Sequence, residues 1–213
     1  MIKKFICALT GVLMSVPVFA QYGVPSGQSF AEERGLYYGL RLGLSMAAVG
    51  SDAPELDAGT LECGLHVGAV IGFLLSPENP VILETGLSYV EKGGKGDYED
   101  KIHTYSLRYL ELPVVVKYRY DLDGDFSIQP FGGGYMAVGV GGKIKNYTDR
   151  VYESSFSGDN FRRFDGGLRF GCGFEFQNIY ADVCFDLGLT NICHSQFDSS
   201  HTRCLYINAG VNF

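Results

Sequence analysis

The sequence predicts an all-β fold, an eight-stranded antiparallel up-and-down transmembrane β-barrel. Three observations lead to this prediction. The chain opens with an export signal, eight later segments alternate apolar with polar or small residues, and the connections between those segments are alternately short and long.

The export signal occupies residues 1–20, which we expect to be a cleaved signal peptide. Lys3 and Lys4 precede an almost wholly apolar stretch, and Val18 and Ala20 stand at the −3 and −1 positions of a signal-peptidase site. The stretch is too short for a membrane-spanning helix, which needs about 20 apolar residues. We expect residues 21–35 to be a short periplasmic leader and residues 36–213 to form the barrel.

Composition narrows the class of protein further. Without Lys3 and Lys4 the chain has 15 basic and 24 acidic residues, and it lacks a basic run, which makes it a poor candidate for binding nucleic acid. The 29 glycines, 14 tyrosines and 15 phenylalanines suit twisted, closely packed strands in a single domain.

The strand segments alternate with period two, so that each has one apolar face. Because lipid contacts the outside of a membrane barrel, we expect these apolar faces to point outward. The fifth segment is the weakest, since three consecutive glycines blur its alternation. In order, the segments lie near residues 37–46, 65–73, 81–89, 109–120, 126–141, 164–176, 179–189 and 205–213.

The connections indicate which end of the barrel is which. Short turns of membrane barrels face the periplasm and long loops face outside, and an even strand number brings both chain ends to the periplasm. The predicted short connections are 76–80, 121–125 and 177–178, and the long ones are 49–59, 93–103, 142–162 and 191–201.

The faces opposite the apolar ones carry charges that would point into the barrel. An eight-stranded barrel is only wide enough for side chains to fill it, and a buried unpaired charge costs several kcal/mol. We therefore predict a hydrogen-bonded ionic network and not a conduction pathway. Its predicted members are Arg41, Glu84, Glu111, Lys117, Arg119, Arg169, Glu175, Asp182 and Asp186, with Asp165 and His66 on the same faces.

A two-residue turn at 177–178 would fix the register of the last hairpins. Arg169 then lies opposite Asp186 inside, while Phe170 lies opposite Phe185 outside. The sequence therefore predicts an Arg169–Asp186 contact.

The same register bears on the cysteines. It sets Cys172 and Cys184 on opposite faces, so we predict that they do not bond. Cys193 and Cys204 flank the last long connection, where a hairpin disulfide and two separate thiols are both open.

Candidate catalytic and metal-binding motifs do not fit their templates. The acidic segment 121–125 has its glycine misplaced for a calcium loop, and Gly132 stands where the bidentate glutamate belongs. In the pair His194 and Ser195, with Asp198 and His201 nearby, adjacent residues of a strand point apart. We expect no enzyme activity, no cofactor and no metal.

Three segments and the last residue carry a family resemblance. The segments 109–118 (YLELPVVVKY), 130–135 (PFGGGY) and 171–176 (GCGFEF) resemble strands of the small Gram-negative outer-membrane β-barrel domain family, labelled "porin family". Terminal Phe213, with alternating apolar residues before it, resembles the sorting signal read by the barrel-assembly machinery. The resemblance covers essentially the whole exported chain and implies location in the outer membrane.

The function favoured at this point is non-enzymatic: a structural or binding role through the extracellular loops. The expected partners are outer-membrane lipid, the barrel-assembly machinery during biogenesis and an extracellular ligand at the long loops. One alternative is a narrow pore or a transport or secretion accessory barrel, for which Gly39, Gly43, Gly68 and Gly72 would leave a gap beside one wall. Another is a soluble lipocalin-like binding barrel with the two faces exchanged.

Overall fold

A computed structural model describes residues 35–51, 60–76, 80–98, 101–123, 126–146, 152–154, 162–191 and 200–213. The predicted signal peptide, and the leader up to residue 34, lie outside the described residues. The strands are β1 (Leu36–Ser51), β2 (Thr60–Leu74), β3 (Val81–Tyr98), β4 (Lys101–Tyr118), β5 (Tyr120–Asp123), β6 (Phe126–Asn146), β7 (Tyr152–Ser154), β8 (Phe164–Phe176), β9 (Ile179–Gly188) and β10 (Ser200–Asn212).

The strands close into a barrel in the order of the sequence. Each wall strand pairs antiparallel with the next, and β1 pairs with both β2 and β10, which joins the two ends of the sheet. Strand β5 continues β4 beyond Arg119, and β7 lies beside the outer end of β6. The wall therefore has eight strands, which confirms the predicted fold class. Within the described residues, no helix is long and apolar enough to cross a membrane.

Side chains divide between the two faces as predicted. Outward apolar residues such as Leu40, Leu112 and Phe170 are largely exposed, whereas the alternate positions are buried inside the barrel. Along β4 and β5, outward apolar side chains run from Leu110 to Tyr120, which makes a band about 25 Å high for a strand tilted by about 40°. That is the height of the apolar band in membrane barrels.

The hairpin of β8 and β9 has the predicted register. Gln177 and Asn178 form a two-residue turn, with Gln177 in the left-handed region at a φ of 54°. Arg169 pairs with Asp186 and Phe170 with Phe185, whose rings are 5.5 Å apart on the outer face.

Several strands continue further than the sequence indicated. Strand β3 runs to Tyr98 and β4 begins at Lys101, so most of the predicted loop 93–103 is a hairpin, and β6 extends to Asn146 inside the predicted loop 142–162. Backbone hydrogen bonds continue above the membrane, where the outer face meets water and needs no apolar residues. The apolar pattern therefore ends before the strand does.

The predicted weakest segment is the longest strand, β6. Gly133 lies opposite Val115, and a Cβ at Gly133 would collide with the carbonyl oxygen of Val114. The glycine that blurs the alternation thus allows β6 to lie close against β4 at this point.

An arginine placed in the middle of the lipid-facing band tests the assignment of the faces. We expect Leu112→Arg to lower the free energy of unfolding in phospholipid vesicles by about 2–4 kcal/mol, and Leu122→Arg, at the periplasmic end, by about 0–1 kcal/mol. Because the chain has no tryptophan, urea unfolding followed by circular dichroism measures both values. Equal losses for the two variants would contradict the placement of the membrane.

Candidate functional site in the barrel interior

The interior of the barrel holds buried charges from five of the eight wall strands, β1, β3, β4, β8 and β9. All nine predicted network residues lie there, together with Asp165 and His66. Among the described residues, five cations face six carboxylates. The cations are Arg41, Lys92, Lys117, Arg119 and Arg169, and the carboxylates are Glu84, Glu111, Asp165, Glu175, Asp182 and Asp186.

Lys92 is the charged residue that sequence reasoning missed. The inward face of β3 carries Glu84 and Ser88 and continues through Val90 to Lys92. At its outer end the pattern reverses, because apolar Val90 points inward and charged Glu91 points outward. Every second residue after Glu84 points inward whatever its polarity, and this alternation alone would have predicted Lys92 inside the barrel.

One group of charges, the outer cluster, consists of Lys92, Glu111, Asp165, Arg169 and Asp186. Lys92 Nζ lies 2.9 Å from Glu111, 3.5 Å from Asp165 and 3.6 Å from Asp186. Arg169 contacts Asp186 with two nitrogens, at 2.6 and 2.7 Å, and also bonds Glu111. The predicted Arg169–Asp186 contact is confirmed. The bonds of Lys92 to Asp165 and Asp186, and of Arg169 to Glu111, join strands that are not neighbours in the wall, so these bonds cross the lumen.

Hydroxyl groups complete the outer cluster. Tyr206 donates to Asp186 at 2.9 Å, and Thr202 donates to Asp165 at 2.9 Å. The ammonium group of Lys92 lies 4.4 Å from the ring centre of Tyr135, within the range of a cation–π interaction. Each buried carboxylate here thus has partners that offset its loss of water.

A second group, the periplasmic cluster, consists of Arg41, Glu84, Lys117, Arg119 and Glu175. Glu84 lies 2.8 Å from Lys117 and 3.4 Å from Arg41, and Glu175 lies 2.7 Å from Arg119. The bonds of Glu84 to Arg41 and of Glu175 to Arg119 join strands that are not neighbours in the wall, whereas Glu84 and Lys117 lie on the adjacent strands β3 and β4.

Polar groups from three strands, β1, β9 and β10, surround the periplasmic cluster. Tyr37 donates to Glu84, Lys117 donates to the Tyr180 hydroxyl at 2.8 Å, and Asn212 donates to Glu175 at 2.5 Å. The guanidinium of Arg41 stacks 3.9 Å above the ring centre of Tyr180. Aromatic rings and charges therefore share the space at this level.

Between the clusters lies a chain of three polar side chains. Asn208 donates its amide to Asp182 at 2.8 Å, so its oxygen is left to accept from His66 Nδ1 at 2.6 Å. This arrangement assigns the proton of the neutral imidazole to Nδ1. The His66 ring also packs against Tyr206, with 5.2 Å between ring centres.

The interior glycines do not leave an open gap. A Cβ at Gly72 would collide with the ring of Tyr37, and one at Gly39 would lie 2.6 Å from Arg41 Nη1 and 2.7 Å from Asn212 Oδ1. Ser88 lies against Gly68, and Asn208 lies against Gly43. Larger neighbours fill the space beside these glycines, so the structural premise for the narrow pore is wrong.

The cysteines divide between the two faces. Cys172 and Cys184 are both free thiols, and only Cys184 is buried inside, which confirms that they do not bond. Cys204 is buried inside the barrel, whereas Cys193 lies outside the described residues, so the disulfide between Cys193 and Cys204 stays a prediction.

The remaining candidate groups contribute little to the site. No three metal-binding side chains come together within the described part of the chain. His194, Ser195 and Asp198 lie outside the described residues. His201 is half-buried on β10.

Comparison with known proteins decides the family. The family model described as "Outer membrane protein beta-barrel domain" matches residues 19–194. The chain belongs to this family. It is therefore an outer-membrane β-barrel of eight strands, and the outer membrane is its location. No curated protein matches the sequence.

Solved structures resemble this outer-membrane β-barrel at low sequence identity. Neisserial surface protein A is 12% identical with a TM-score of 0.50, over 84% of this chain and 97% of that one, which shows a shared fold. Ail, the attachment invasion locus protein of Yersinia pestis, is 14% identical with a TM-score of 0.44, over 83% and 98%. OprG from Pseudomonas aeruginosa is 10% identical with a TM-score of 0.43, over 83% and 95%.

Removing the arginine of the outer cluster tests its contribution to stability. We expect Arg169→Met to lower the free energy of unfolding by about 3–5 kcal/mol, because Glu111 and Asp186 lose a buried partner. In the double variant Arg169→Met, Asp186→Leu we expect a smaller loss than the sum of the single changes, since Lys92 still neutralises Glu111. Urea unfolding in phospholipid vesicles measures each value.

Arg203→Met is the matched control, because Arg203 is exposed on the outer face. We expect it to change stability by less than about 0.5 kcal/mol. A loss for Arg169→Met no larger than for this control would contradict a stabilising cross-lumen cluster.

Proposed function

We propose that this protein is a non-enzymatic outer-membrane barrel with a sealed interior, which acts as a structural or binding element through its extracellular end. The observation that carries the proposal is the double layer of ion pairs across the lumen. The outer and periplasmic clusters, one above the other, place cations from one wall against carboxylates of another.

The energetics of the clusters argue against conduction. A continuous water path would require at least one pair in each layer to separate and move aside. Separating a buried pair leaves uncompensated charge, at a cost of about 3–5 kcal/mol. In a barrel of eight strands the remaining space is taken by side chains such as Tyr37, Tyr180 and Tyr206.

The same contacts argue against catalysis in the interior. A general acid or base must reach a substrate proton, but the carboxylates of both clusters are engaged with cations of the wall. The buried thiols Cys184 and Cys204 are enclosed with them. The function is therefore assigned to the outer surface of the protein.

The distribution of faces argues against a soluble binding barrel. A lipocalin-like protein needs an apolar cavity and a polar exterior, and this barrel has the opposite arrangement. The proposal includes removal of residues 1–20 on export, a periplasmic leader at 21–35, insertion by the barrel-assembly machinery, and recognition of an extracellular ligand by the long loops.

Electrical recording tests the sealed interior. Residues 21–213 are refolded in detergent, checked for a mobility difference between unboiled and boiled samples on SDS gels, and added to a planar bilayer. We expect a heat-sensitive shift without steady conductance. A shift accompanied by steady conductance would contradict the proposal and favour the narrow pore.

A matched pair of variants shows that the assay detects an opened lumen. The quadruple variant Lys92→Ala, Glu111→Ala, Glu84→Ala, Lys117→Ala removes one balanced ion pair from each cluster, and we expect it to conduct. Phe170→Ala, on the lipid-facing side, is the control and should remain silent. The gel shift verifies that each variant is folded before it is recorded.

A further inference from the structure

The carboxylate of Asp165 collects donors from four other parts of the chain at the outer end of the lumen. Asp165 is the second residue of β8 and is fully buried. Its Oδ1 accepts a hydrogen bond from Thr190 at 3.1 Å, and its Oδ2 accepts one from Thr202 at 2.9 Å. Tyr135 donates to Oδ2 at 3.3 Å, and Lys92 Nζ lies 3.5 Å from the same oxygen. Both oxygens of the carboxylate are therefore engaged.

Two of these donors stand at the two ends of the connection between β9 and β10. Thr190 follows β9 by two positions, and Thr202 is the third residue of β10. The amides of Leu189 and Thr190 donate to the Gly166 carbonyl at 2.9 and 3.2 Å, and the Gly166 amide donates to Thr190 Oγ1 at 2.9 Å. The chain that leaves β9 thus folds back onto β8 beside Asp165.

Thr202 brings the other end of the connection to the same point. A Cβ at Gly188 would lie 2.5 Å from Thr202 Oγ1, so the last residue of β9 lies directly against Thr202. The Tyr135 hydroxyl lies 3.2 Å from Thr202 Oγ1 and also contacts Asp165. Because hydrogen bonds to an ionised carboxylate are stronger than those between neutral groups, Asp165 fixes the spacing of the two ends.

Lys92 extends this set of contacts to a second extracellular element. In the wall β4 and β6 separate β3 from β8, so the contact between Lys92 and Asp165 crosses the lumen. Directly after Lys92, residues 93–98 of β3 pair with residues 101–106 of β4 and form the outer end of a hairpin. Lys92 is thus the inward-facing residue at the base of this outer hairpin.

The charge of Lys92 helps to keep the Asp165 carboxylate inside the barrel. Hydroxyl donors offset only part of the hydration that a buried carboxylate loses, whereas a cation within 4 Å also supplies the opposite charge. Without Lys92, the carboxylate would gain free energy by turning toward water at the outer end of the lumen. Its bonds to Thr190 and Thr202 would then weaken, so a change on β3 would reach the connection between β9 and β10.

We propose that Lys92 and Asp165 form a strap across the outer end of the lumen, which holds the outer hairpin and both ends of the β9–β10 connection as one unit. Because such coupling is reciprocal, a ligand that displaces either element also shifts the other. The inference rests on the proposed function in that an extracellular ligand would meet both elements as one surface. Its test uses neither ligand nor conductance, so failure of the strap would leave the sealed interior unaffected.

Hydrogen–deuterium exchange followed by peptide mass spectrometry tests the strap in refolded residues 21–213. The informative amides are those of Leu189 and Thr190, which lie across the lumen from Lys92. We expect Lys92→Met to raise their exchange rate about five- to tenfold, because the Asp165 carboxylate turns away and the bonds to Gly166 loosen.

Lys117→Met is the matched control. Lys117 is as deeply buried as Lys92, but it belongs to the periplasmic cluster, where it lies 2.8 Å from Glu84. We expect this variant to leave the exchange of the Leu189 and Thr190 amides unchanged. Equal acceleration by the two variants would overturn the strap in favour of a general loosening of the barrel.

Two conditions keep the exchange rates interpretable. The gel shift establishes that each variant is folded before exchange is measured. Reducing agent is present throughout, so that a disulfide between Cys193 and Cys204 does not hold the connection in place of the strap.

Thr202→Val tests the coupling in the reverse direction and decides the question alone if Lys92→Met does not fold. This change removes one hydroxyl group and keeps the shape of the side chain. We expect exchange to become about threefold or more faster in residues 93–98 of the outer hairpin, on the other side of the lumen. Faster exchange confined to β8, β9 and β10 would overturn the strap, because a purely local role of Asp165 gives that result.

Discussion

Lys92 and Arg169 extend into the lumen from different walls and share the carboxylates of Glu111 and Asp186, and Lys92 also contacts Asp165. Because these groups are buried, each of these charges depends on the others to offset the hydration that it loses on folding. These ion pairs connect β3 and β4 to β8 and β9 through the lumen, in addition to the backbone hydrogen bonds of the wall. Much of the architecture follows from the requirement that all of these groups face inward together.

The most direct consequence is that the register of the strands is fixed. A slip of one residue would turn every side chain of a strand to the opposite face. For β8 such a slip would expose Arg169 to hydrocarbon, at about 2–4 kcal/mol, and would leave Glu111 and Asp186 with less compensation. The apolar exterior and the charged interior therefore favour the same strand register. In that register Phe170 pairs with Phe185 on the outer face, and Arg169 pairs with Asp186 on the inner face.

The sequence predicts those parts of the structure in which the apolar outer face and the charged inner face both restrict the strand register. The Arg169–Asp186 contact follows from a two-residue turn and period two, because both faces of that hairpin make sensible pairs. Lys92 does not follow from polarity alone, since Val90 and Glu91 beside it point the opposite way to the pattern lower in the strand. The outer hairpin of β3 and β4 was also missed, because above the membrane a strand no longer needs an apolar face.

The filling of the interior space could not be predicted from the sequence for a different reason. Gly39 and Gly72 predict a gap only if their neighbours point elsewhere, and whether Arg41 and Tyr37 lie over them depends on rotamers that a sequence does not specify.

Reaction of the thiol of Cys184 with a small, charged, water-soluble reagent tests the sealed interior most directly. Cys184 points into the barrel beside Tyr206, whereas Cys63 is exposed on the outer face. The folded protein in detergent is treated with a methanethiosulfonate reagent, and peptide mass spectrometry locates the label. The account predicts that Cys63 reacts at once and that Cys184 reacts only after boiling. Rapid labelling of Cys184 in the folded barrel would show that water enters the lumen and would contradict the account.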